Sequence, residues 1–329
     1  MKVVIPVAGV GKRLRPHTHS HPKPLLPVGN KPIIAHMLDP IVKLNPEEVV
    51  FVIGYRGQQV REYVEKNYQF KATFVQQDKL LGLGYAINLA VRNLPPGELL
   101  IVLGDTVVEC DLQEIITSGE KNILGVLPVK DPERFGVVEV SNGQVTRMIE
   151  KPDKPKSNLA IIGLYYFSDS APLKQALADH VESGQTTRGE LQFTDALQLM
   201  LERGATFVPY EVQEWFDCGK KETMLSTNSH LVSSLGKTPQ IDGCKINPPV
   251  FIHPEAEIVD SEIGPSVSIS AGSTIRNSTI TNSIIGYKST IENVWLKDSL
   301  IGNEVTLKGT GRQTSLIVNL GDTSEVEPG

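Results

Sequence analysis

A repeat of apolar residues near the C terminus constrains the fold more than any other feature of this sequence. Ile269, Ile285 and Ile301 recur every sixteen positions, and the apolar positions between them follow steps of six, five and five. A period of this kind is typical of solenoids, in which each unit buries its apolar face against the next. The spacing predicts a three-sided β-solenoid of about three coils, and a β-sandwich with fortuitous spacing is the alternative.

Small polar residues within the repeat indicate where the coils turn. Asparagine and glycine tolerate left-handed backbone, which tight corners require. Corners are therefore expected at four asparagines: Asn277, Asn282, Asn293 and Asn303. The chain from Asp322 onwards is expected to fray.

The chain up to about position 230 has a different pattern. Short β-branched runs, such as 49–53 and 99–103, alternate with segments whose apolar residues recur at helical spacing, such as 57–67 and 84–93. This alternation predicts an α/β fold with a mostly parallel, doubly wound sheet. The predicted domains are residues 1–235, a linker over 236–249, the solenoid over 250–321 and a tail over 322–329.

Composition excludes several classes of protein. With 40% hydrophobic and 21% charged residues, the chain is neither disordered nor fibrous. A net charge of −6 argues against a nucleic-acid partner, and no apolar run is long enough for a membrane span or an export signal. Three widely spaced cysteines, Cys110, Cys218 and Cys244, suggest neither disulfides nor a zinc site. We therefore expect a cytoplasmic protein without membrane contact, whose phosphate ligands are small.

The residues after the first predicted strand are candidates for anion binding. Ligands of open α/β sheets bind beyond the carboxyl ends of the strands, where glycines let backbone N–H groups approach an anion and Arg13 adds a bidentate donor. The dinucleotide fingerprint would need glycine at Leu14, and a P-loop would need Ser or Thr after Lys12. A glycine-rich turn without a ligand is the alternative. The candidate nucleotide-binding residues are Ala8, Gly9 and Gly11.

Lys23 lies between Pro22 and Pro24, a stiff mount for a positive charge. His17, His19 and His21 alternate just before it, a spacing that could suggest a metal site. Because no cysteine or acidic cluster lies beside them in the sequence, we interpret them as solvated loop histidines.

An ordered series of motifs runs from the N terminus to about position 230. Residues 9–34 contain G-x-G-x-R-L, P-K-P-L-L-P-V and K-P-I-I. Further motifs are Q-D-K-L-L-G-L-G-Y-A (77–86), L-G-D (103–105), F-G-V-V (135–138), E-K-P (150–152), G-L-Y (163–165), R-G-E-L-Q (188–192) and W-F-D-C-G (215–219). Together they resemble the signature of the sugar-1-phosphate nucleotidylyltransferases, in particular the glucose-1-phosphate thymidylyltransferases and uridylyltransferases. The resemblance implies a Rossmann-like nucleotidyltransferase domain, followed by a short left-handed β-helix of hexapeptide-like type.

The resemblance also implies a reaction. A sugar 1-phosphate oxygen attacks the α-phosphorus of a nucleoside triphosphate, and pyrophosphate leaves; the protein contributes positioning and charge neutralisation. Mg²⁺ is the implied cofactor, held by carboxylate oxygens. The implied roles are Asp105 and Asp217 as metal ligands, Arg13 on the leaving pyrophosphate, Lys23 on the α-phosphate, and Lys151 with Arg188 on the sugar phosphate.

Base and sugar recognition are assigned in the same way. The amide of Gln77 offers one donor and one acceptor, which complement uracil or thymine, so dTTP or UTP is favoured. Gly82 is expected to let the base approach the backbone. The implied hexose pocket comprises Gly136, Glu150, Gly163 and Tyr165, although Tyr165 also fits a core residue.

Several positions depart from the family pattern. Lys12 replaces the usual Thr or Ser, Thr106 replaces the Asn of thymidylyltransferases, and Cys218 stands at an apolar or Thr position. The run V-I-P-V-A-G (4–9) resembles the uridylyltransferase branch, whereas residues 150–191 resemble the thymidylyltransferase branch. We interpret the chain as an enzyme that makes dTDP-glucose from dTTP and glucose 1-phosphate, and a UTP-dependent enzyme is the alternative.

Two other classes of function are alternatives. A non-catalytic regulatory paralogue would be expected to lose the charged residues that this chain retains. A solenoid acyltransferase would need a histidine base in the coils, but His253, before the regular repeat, is the one histidine after residue 231. The solenoid is therefore interpreted as an assembly or regulatory element of a homo-oligomer.

Overall fold

The computed structural model describes residues 1–236, 238–311 and 314–328. The chain forms two compact units. The first comprises residues 1–9 and 37–215, and the second comprises residues 10–36 and the chain from 216 onwards. This division differs from the predicted boundary at residue 235, because the second unit contains an N-terminal loop and a helix as well as the solenoid.

The elements are as follows. The helices are α1 Ile33–Val42, α2 Gly57–Asn67, α3 Leu83–Val91, α4 Leu112–Thr117, α5 Ala171–Ser183, α6 Phe193–Glu202 and α7 Lys221–Ser234. The strands up to residue 217 are β1 Lys2–Pro6, β2 Pro27–Val28, β3 Lys31–Pro32, β4 Glu48–Ile53, β5 Ala72–Gln76, β6 Leu99–Val102, β7 Thr106–Glu109, β8 Asn122–Pro128, β9 Gly136–Ser141, β10 Gln144–Glu150, β11 Leu159–Phe167, β12 Val208–Glu211 and β13 Glu214–Asp217. The later strands are β14 Lys245–Ile246, β15 Val250–Ile252, β16 Glu257–Val259, β17 Glu262–Ile263, β18 Val267–Ile269, β19 Thr274–Arg276, β20 Thr279–Thr281, β21 Ile284–Ile285, β22 Thr290–Glu292, β23 Trp295–Lys297, β24 Leu300–Ile301, β25 Thr306–Lys308, β26 Ser315–Leu316, β27 Asn319–Leu320 and β28 Glu325–Val326. None of the helices in the described part of the chain has the length and apolar character needed to cross a membrane.

The first unit is built on a nine-stranded mixed sheet. Strands β6, β1, β4 and β5 are parallel neighbours, which confirms the predicted α/β class. Strand β11 runs antiparallel to β6 and β8, and β9 and β10 form an antiparallel hairpin. That hairpin turns at Asn142 and Gly143, both with positive φ, as an Asn-Gly turn requires. Strand β12 pairs in parallel with β8, so the side of the sheet beyond β6 is mixed.

Helices cover both faces of this sheet. On one face, Ile87 of α3, Leu177 of α5 and Leu197 of α6 are buried against alternate residues of the parallel strands. On the other face, Phe51 stacks on Phe74 with ring centroids 5.2 Å apart, and the guanidinium of Arg61 in α2 lies 4.7 Å from the centre of the Phe74 ring. Burial on both faces explains why the central strands are apolar throughout.

The second unit contains the predicted left-handed β-helix. Its three parallel sheets each have five strands. One ladder of the core stacks residues from successive coils in register: Ile252, Ile269, Ile285, Ile301 and Leu320. The helix therefore has five coils rather than about three. The sequence pattern did not reveal the two outer coils, because the intervals from Ile252 to Ile269 and from Ile301 to Leu320 are longer than the regular interval of the repeat.

The corners of the coils match three of the four predicted asparagines. Asn277, Asn282 and Asn293 have φ values of 44°, 40° and 54°. The prediction for Asn303 is wrong, because the left-handed residue there is Glu304. Buried serines also stack at corners: Ser289 N donates to Ser273 Oγ, Val294 N to Ser278 Oγ and Ser299 N to Ser283 Oγ, at 3.1–3.3 Å. These hydroxyls satisfy backbone groups that would otherwise be buried without partners.

The predicted tail is part of the last coil. Strand β28 pairs in parallel with β25, and Asp322 accepts hydrogen bonds from Asn303 N and Ser20 Oγ. The expectation that the chain frays from Asp322 is therefore wrong for residues up to Val326. The added coil pairs with its neighbour as the earlier coils do, although it lacks the regular spacing that would reveal it in the sequence.

Candidate active site

Ala8 and Gly9 follow strand β1 in the first unit. Ala8 is buried, and a Cβ atom on Gly54 would lie 2.8 Å from its carbonyl oxygen. Around Gly9, in contrast, no atom of the described residues other than its two chain neighbours lies within 4 Å of where a Cβ would stand. Packing alone does not require glycine there. This open side of the backbone is where the sequence predicts that an anion approaches.

Gly11 belongs to the second unit and folds against the rest of its loop. Its φ is +65°, and a Cβ would lie 3.0 Å from Thr18 Cγ2 and 3.1 Å from Lys23 Cβ. Thr18 Oγ1 donates a 3.0 Å hydrogen bond to Gly11 O. Both the backbone conformation and the close packing require glycine at this position. The fold-back brings Lys23 beside Gly11.

Two cations lie near the carboxylate of Asp217, also in the second unit. Lys23 is almost buried, and its Nζ lies 3.9 Å from Asp217 Oδ1. A Cβ on Gly219 would lie 2.7 Å from Asp217 Oδ1 and 2.8 Å from Arg13 Nη2. Three predicted site residues are therefore close together, with Asp217 near both cations. Such a group can bind phosphate oxygens through its cations and a metal ion through its carboxylate.

Glu150 is the centre of a second cluster, in the first unit. Its Oε2 accepts a 2.6 Å hydrogen bond from Thr194 Oγ1, and its Oε1 lies 3.2 Å from Lys151 Nζ. A Cβ on Gly136 would lie 2.7 Å from Thr194 Oγ1 and 3.0 Å from Glu150 Oε2. The hairpin pairing of Glu150 with Gly136 explains this proximity. The structure thus brings together three of the residues assigned to the sugar and its phosphate.

Thr194 carries no sequence signal for its contact with Glu150. It lies in the first turn of α6, directly after the R-G-E-L-Q motif, and nothing in its neighbourhood indicates a contact with a residue 44 positions away. Glu150 also affects Tyr165, whose pKa is raised by burial and by the nearby negative charge. Tyr165 is packed edge-on against Phe193, 4.8 Å between ring centroids, so it has the core role that was the alternative for it.

Lys151 and Arg188 both have left-handed backbone, with φ of 43° and 53°. Arg188 Nη2 donates to Lys151 O at 3.0 Å and to Asp153 Oδ1 at 2.8 Å. The guanidinium therefore supports the strained turn at Lys151. The Arg188 side chain is about half exposed, so its predicted contact with a sugar phosphate stays a prediction.

Gly163 supports the loop that carries Asp105. Its φ is +85°, a Cβ would lie 2.7 Å from Leu103 Cγ and Cδ1, and Leu103 N donates to Gly163 O at 2.9 Å. Thr106 is buried and donates through its hydroxyl to Leu103 O at 3.3 Å. Thr106, which departs from the family pattern, therefore stabilises the loop through this hydrogen bond. Gly163 acts on the backbone before Asp105, whereas its predicted contact with a hexose is untested.

Gln77 is buried after strand β5, and its Nε2 donates to Lys79 O at 3.1 Å, which fixes the amide orientation. Gly82 has φ +119°, and a Cβ there would lie 2.5 Å from Leu191 O. The group that lies close to the Gly82 backbone is therefore the backbone of Leu191. A nucleotide base was expected in this space from the sequence.

Asp105 and Asp217 offer carboxylate oxygens, the ligands that Mg²⁺ prefers, and Mg²⁺ commonly binds through one or two carboxylates together with substrate phosphates and water. The chemistry of these donors fits Mg²⁺. Within the described ranges, no group of three or more His, Cys, Asp or Glu side chains forms a complete protein metal site. Both residues remain predicted ligands.

The expectation that the loop histidines are solvated is wrong for His17, whereas His19 is exposed and His21 is partly exposed. His17 is 3% exposed, and its Nε2 lies 2.7 Å from Asn319 Oδ1. His21 Nε2 lies 3.0 Å from Asp322 Oδ2. Both partners belong to the last coil, at the opposite end of the sequence, and the loop and the coil lie within the second unit. A contact at this separation could not be inferred from the spacing of the histidines.

Two known proteins are similar in sequence to most of this chain. The low-salt glycan biosynthesis nucleotidyltransferase Agl11 of Haloferax volcanii is 34% identical over 241 residues, which are 69% of this chain and 65% of that protein. The match therefore spans slightly less than two thirds of that relative's length. A glucose-1-phosphate thymidylyltransferase of Streptomyces griseus is 32% identical over 85% of this chain and 81% of that protein.

A solved structure assigned as a glucose-1-phosphate thymidylyltransferase from Bacillus anthracis, in complex with sucrose, superposes with a TM-score of 0.62. It is 27% identical and covers 73% of this chain and 97% of that chain. The sequence pattern that defines nucleotidyl transferases matches residues 2–234, more than two thirds of the chain. The protein therefore belongs to the nucleotidyl transferase family.

Proposed function

We propose that the protein transfers a nucleotidyl group from a nucleoside triphosphate to a sugar 1-phosphate, with dTTP and glucose 1-phosphate as substrates. An oxygen of the sugar phosphate forms a bond to the α-phosphorus, the bond from that phosphorus to the bridging oxygen of the β-phosphate breaks, and pyrophosphate leaves with the bonding electrons. The products are dTDP-glucose and pyrophosphate. The chain contributes charge and geometry rather than a covalent intermediate.

The observation that carries this proposal is the proximity of both Arg13 and Lys23 to the Asp217 carboxylate. In the proposed reaction Lys23 binds the α-phosphate and Arg13 binds the departing pyrophosphate, so positive charge is in place before the bond breaks. The prolines beside Lys23 and the packing of its Cβ against Gly11 restrict the backbone that carries the lysine. Mg²⁺, with Asp105 and Asp217 as proposed ligands, would neutralise phosphate charge during transfer.

The Glu150 cluster supports a sugar phosphate as the acceptor. Thr194 and Lys151 hold the carboxylate in one orientation, in which it can accept hydrogen bonds from hexose hydroxyl groups. The Lys151 ammonium is a third cation, proposed to bind the phosphate of the sugar. The name of the Streptomyces griseus relative supports glucose 1-phosphate as this acceptor.

Gln77 supports a pyrimidine base. Because Nε2 donates to Lys79 O, the amide presents its carbonyl oxygen and its second hydrogen in a fixed direction. That pair complements N3–H and a carbonyl of thymine or uracil. UTP is the second candidate, favoured by the V-I-P-V-A-G run at residues 4–9.

The test is pyrophosphate release with Mg²⁺, crossing dTTP, UTP, GTP, ATP and CTP with the 1-phosphates of glucose, mannose, galactose and N-acetylglucosamine. The proposal predicts the highest kcat/KM with dTTP and glucose 1-phosphate. A higher value with UTP would replace dTTP by the second candidate, and a purine preference would overturn the role of Gln77. No release in any combination would favour a non-catalytic nucleotide-sugar-binding protein.

A further inference from the structure

The last coil of the β-helix holds the loop that carries Arg13 and Lys23. Four contacts connect them. His17 Nε2 donates to Asn319 Oδ1 at 2.7 Å, and Asn319 Nδ2 donates to Arg15 O at 3.3 Å. Ser20 Oγ donates to Asp322 Oδ2 at 2.6 Å, and His21 Nε2 lies 3.0 Å from the same oxygen. The attachment therefore involves both the backbone and the side chains of the loop.

Asp322 is the most connected residue of this attachment. Besides its two loop partners, its Oδ1 accepts a 2.8 Å hydrogen bond from Asn303 N in the preceding coil. Burial alone would raise the pKa of Asp322, but the hydrogen bonds from His21, Ser20 and Asn303 outweigh that effect and lower the pKa to about 2. The carboxylate is ionised at neutral pH, so its bonds to the loop are charge-assisted.

The anchored residues are close in sequence to the phosphate-binding cations. His21 is separated from Lys23 by Pro22 alone, and Leu25 N donates to Pro22 O within the turn that carries Lys23. Upstream, His17 is next to Thr18, whose hydroxyl bonds Gly11 O and whose Cγ2 packs against Gly11. A displacement of His17 or His21 would therefore be transmitted to Lys23 and to Gly11 through short, rigid connections.

We propose that Asp322, together with Asn319, is a positioning residue for Lys23 and Arg13, so that the last coil sets the binding of the nucleoside triphosphate. This inference rests on the proposed function and extends it: the β-helix contributes to the catalytic site as well as to assembly. Asp322 itself touches no substrate in this scheme. Its effect passes through Ser20 and His21.

The test compares Asp322→Ala and Asp322→Asn with Glu325→Ala, a matched control that removes an exposed carboxylate from the same coil. Asp322→Ala is expected to raise the KM for the preferred nucleotide about tenfold and to leave the KM for the sugar 1-phosphate within about twofold. Asp322→Asn, which keeps one acceptor oxygen, is expected to recover part of the loss. A purely structural role would reduce the active fraction and hence kcat, with both KM values unchanged, and would overturn the proposal.

Hydrogen exchange of residues 11–26, followed by mass spectrometry, gives a readout that does not depend on activity. Asp322→Ala should speed exchange in this segment about tenfold, while strand β1 and the Glu325→Ala control stay at wild-type rates. Unchanged exchange in Asp322→Ala would overturn the proposal. A wild-type protein that is inactive with every nucleotide would instead contradict the proposed function, and the exchange result would still decide whether Asp322 holds the loop.

Discussion

His17 Nε2 donates a 2.7 Å hydrogen bond to Asn319 Oδ1, although the two residues lie near opposite ends of the sequence. The donor assignment follows from the asparagine, whose Nδ2 is used by Arg15 O, which leaves Oδ1 as the acceptor. The buried imidazole therefore carries its hydrogen on Nε2 when it is neutral. A residue that sequence alone would place in a solvated loop is thus part of the interior of the second unit.

This burial predicts a pH dependence of stability. Burial lowers the pKa of His17 below 6.5, although the hydrogen bond to Asn319 and the charge of Asp322 act in the opposite direction. Below pH 6.5 the unfolded chain therefore binds a proton that the folded chain does not, so the free energy of unfolding falls as the pH is lowered, by at most about 1.4 kcal/mol per pH unit.

Urea denaturation at pH values above and below this range measures the effect. His17→Gln should lose much of the slope, whereas His19→Gln, which changes an exposed neighbour, should retain it. Equal slopes in wild type and His17→Gln would contradict the assignment.

Thr194 is expected to matter for the sugar phosphate. Thr194→Val removes the hydroxyl that bonds Glu150 Oε2 and should raise the KM for sugar 1-phosphate about tenfold, since a hydrogen bond to a charged group contributes about 1.5–3 kcal/mol. Thr194→Ser keeps the donor and should stay close to wild type. Steady-state kinetics with each substrate varied in turn measures both KM values. A change in the nucleotide KM alone would contradict this prediction.

Substitution of Gly163 by alanine is expected to destabilise the fold more than the same substitution of Gly143, a glycine with a similar positive φ. Gly143 has φ +76°, and among the residues that the structure describes, only its chain neighbours could lie within 4 Å of a Cβ, so Gly143→Ala should cost about 1–2 kcal/mol from backbone strain alone. At Gly163 the Cβ would also collide with Leu103, which adds about 1–3 kcal/mol. Chemical denaturation of the two variants measures the difference, and equal losses would show that the Leu103 contact relaxes freely.

Asp105→Asn should abolish turnover and leave the fold intact, because it removes the charge of a proposed metal ligand at nearly constant volume. Asp111→Asn is a suitable control, since Asp111 caps helix α4 and asparagine caps equally well. Pyrophosphate release and circular dichroism are the measurements. Activity of Asp105→Asn at the wild-type level would disprove the metal assignment.

Truncation after residue 236 should be more harmful than a simple loss of an assembly domain. It removes the partners of His17, Ser20 and His21, and it deprives Asn228 of its 3.2 Å hydrogen bond to Ser266 O. We expect lower thermal stability, altered assembly and weaker nucleotide binding, measured by calorimetry, light scattering and enzyme kinetics. A truncated chain that matched the full protein in all three would contradict both the interpretation of the solenoid and the proposed role of Asp322.

Some features of the protein could be inferred from sequence because they depend on local periodicity. The alternation of strands and helices indicated the α/β class, and the regular spacing of isoleucines indicated a three-sided solenoid, since each repeat must place its apolar side chains toward a common axis. The corner asparagines follow from the backbone conformation that a tight turn imposes. Motif order and the family pattern then pointed to Arg13, Lys23 and Asp217, which the structure brings close together.

Other features depend on contacts between distant parts of the chain, which periodicity does not encode. Longer, irregular spacings hid two of the five coils, although register and pairing are the same in all of them. Thr194 reaches Glu150, and His17 reaches Asn319, only because the folded backbone brings them together. Sequence determined which residues carry charge and which face inward; tertiary structure decided which of them meet, because hydrogen bonds and ion pairs act over a few ångströms in space regardless of separation along the chain.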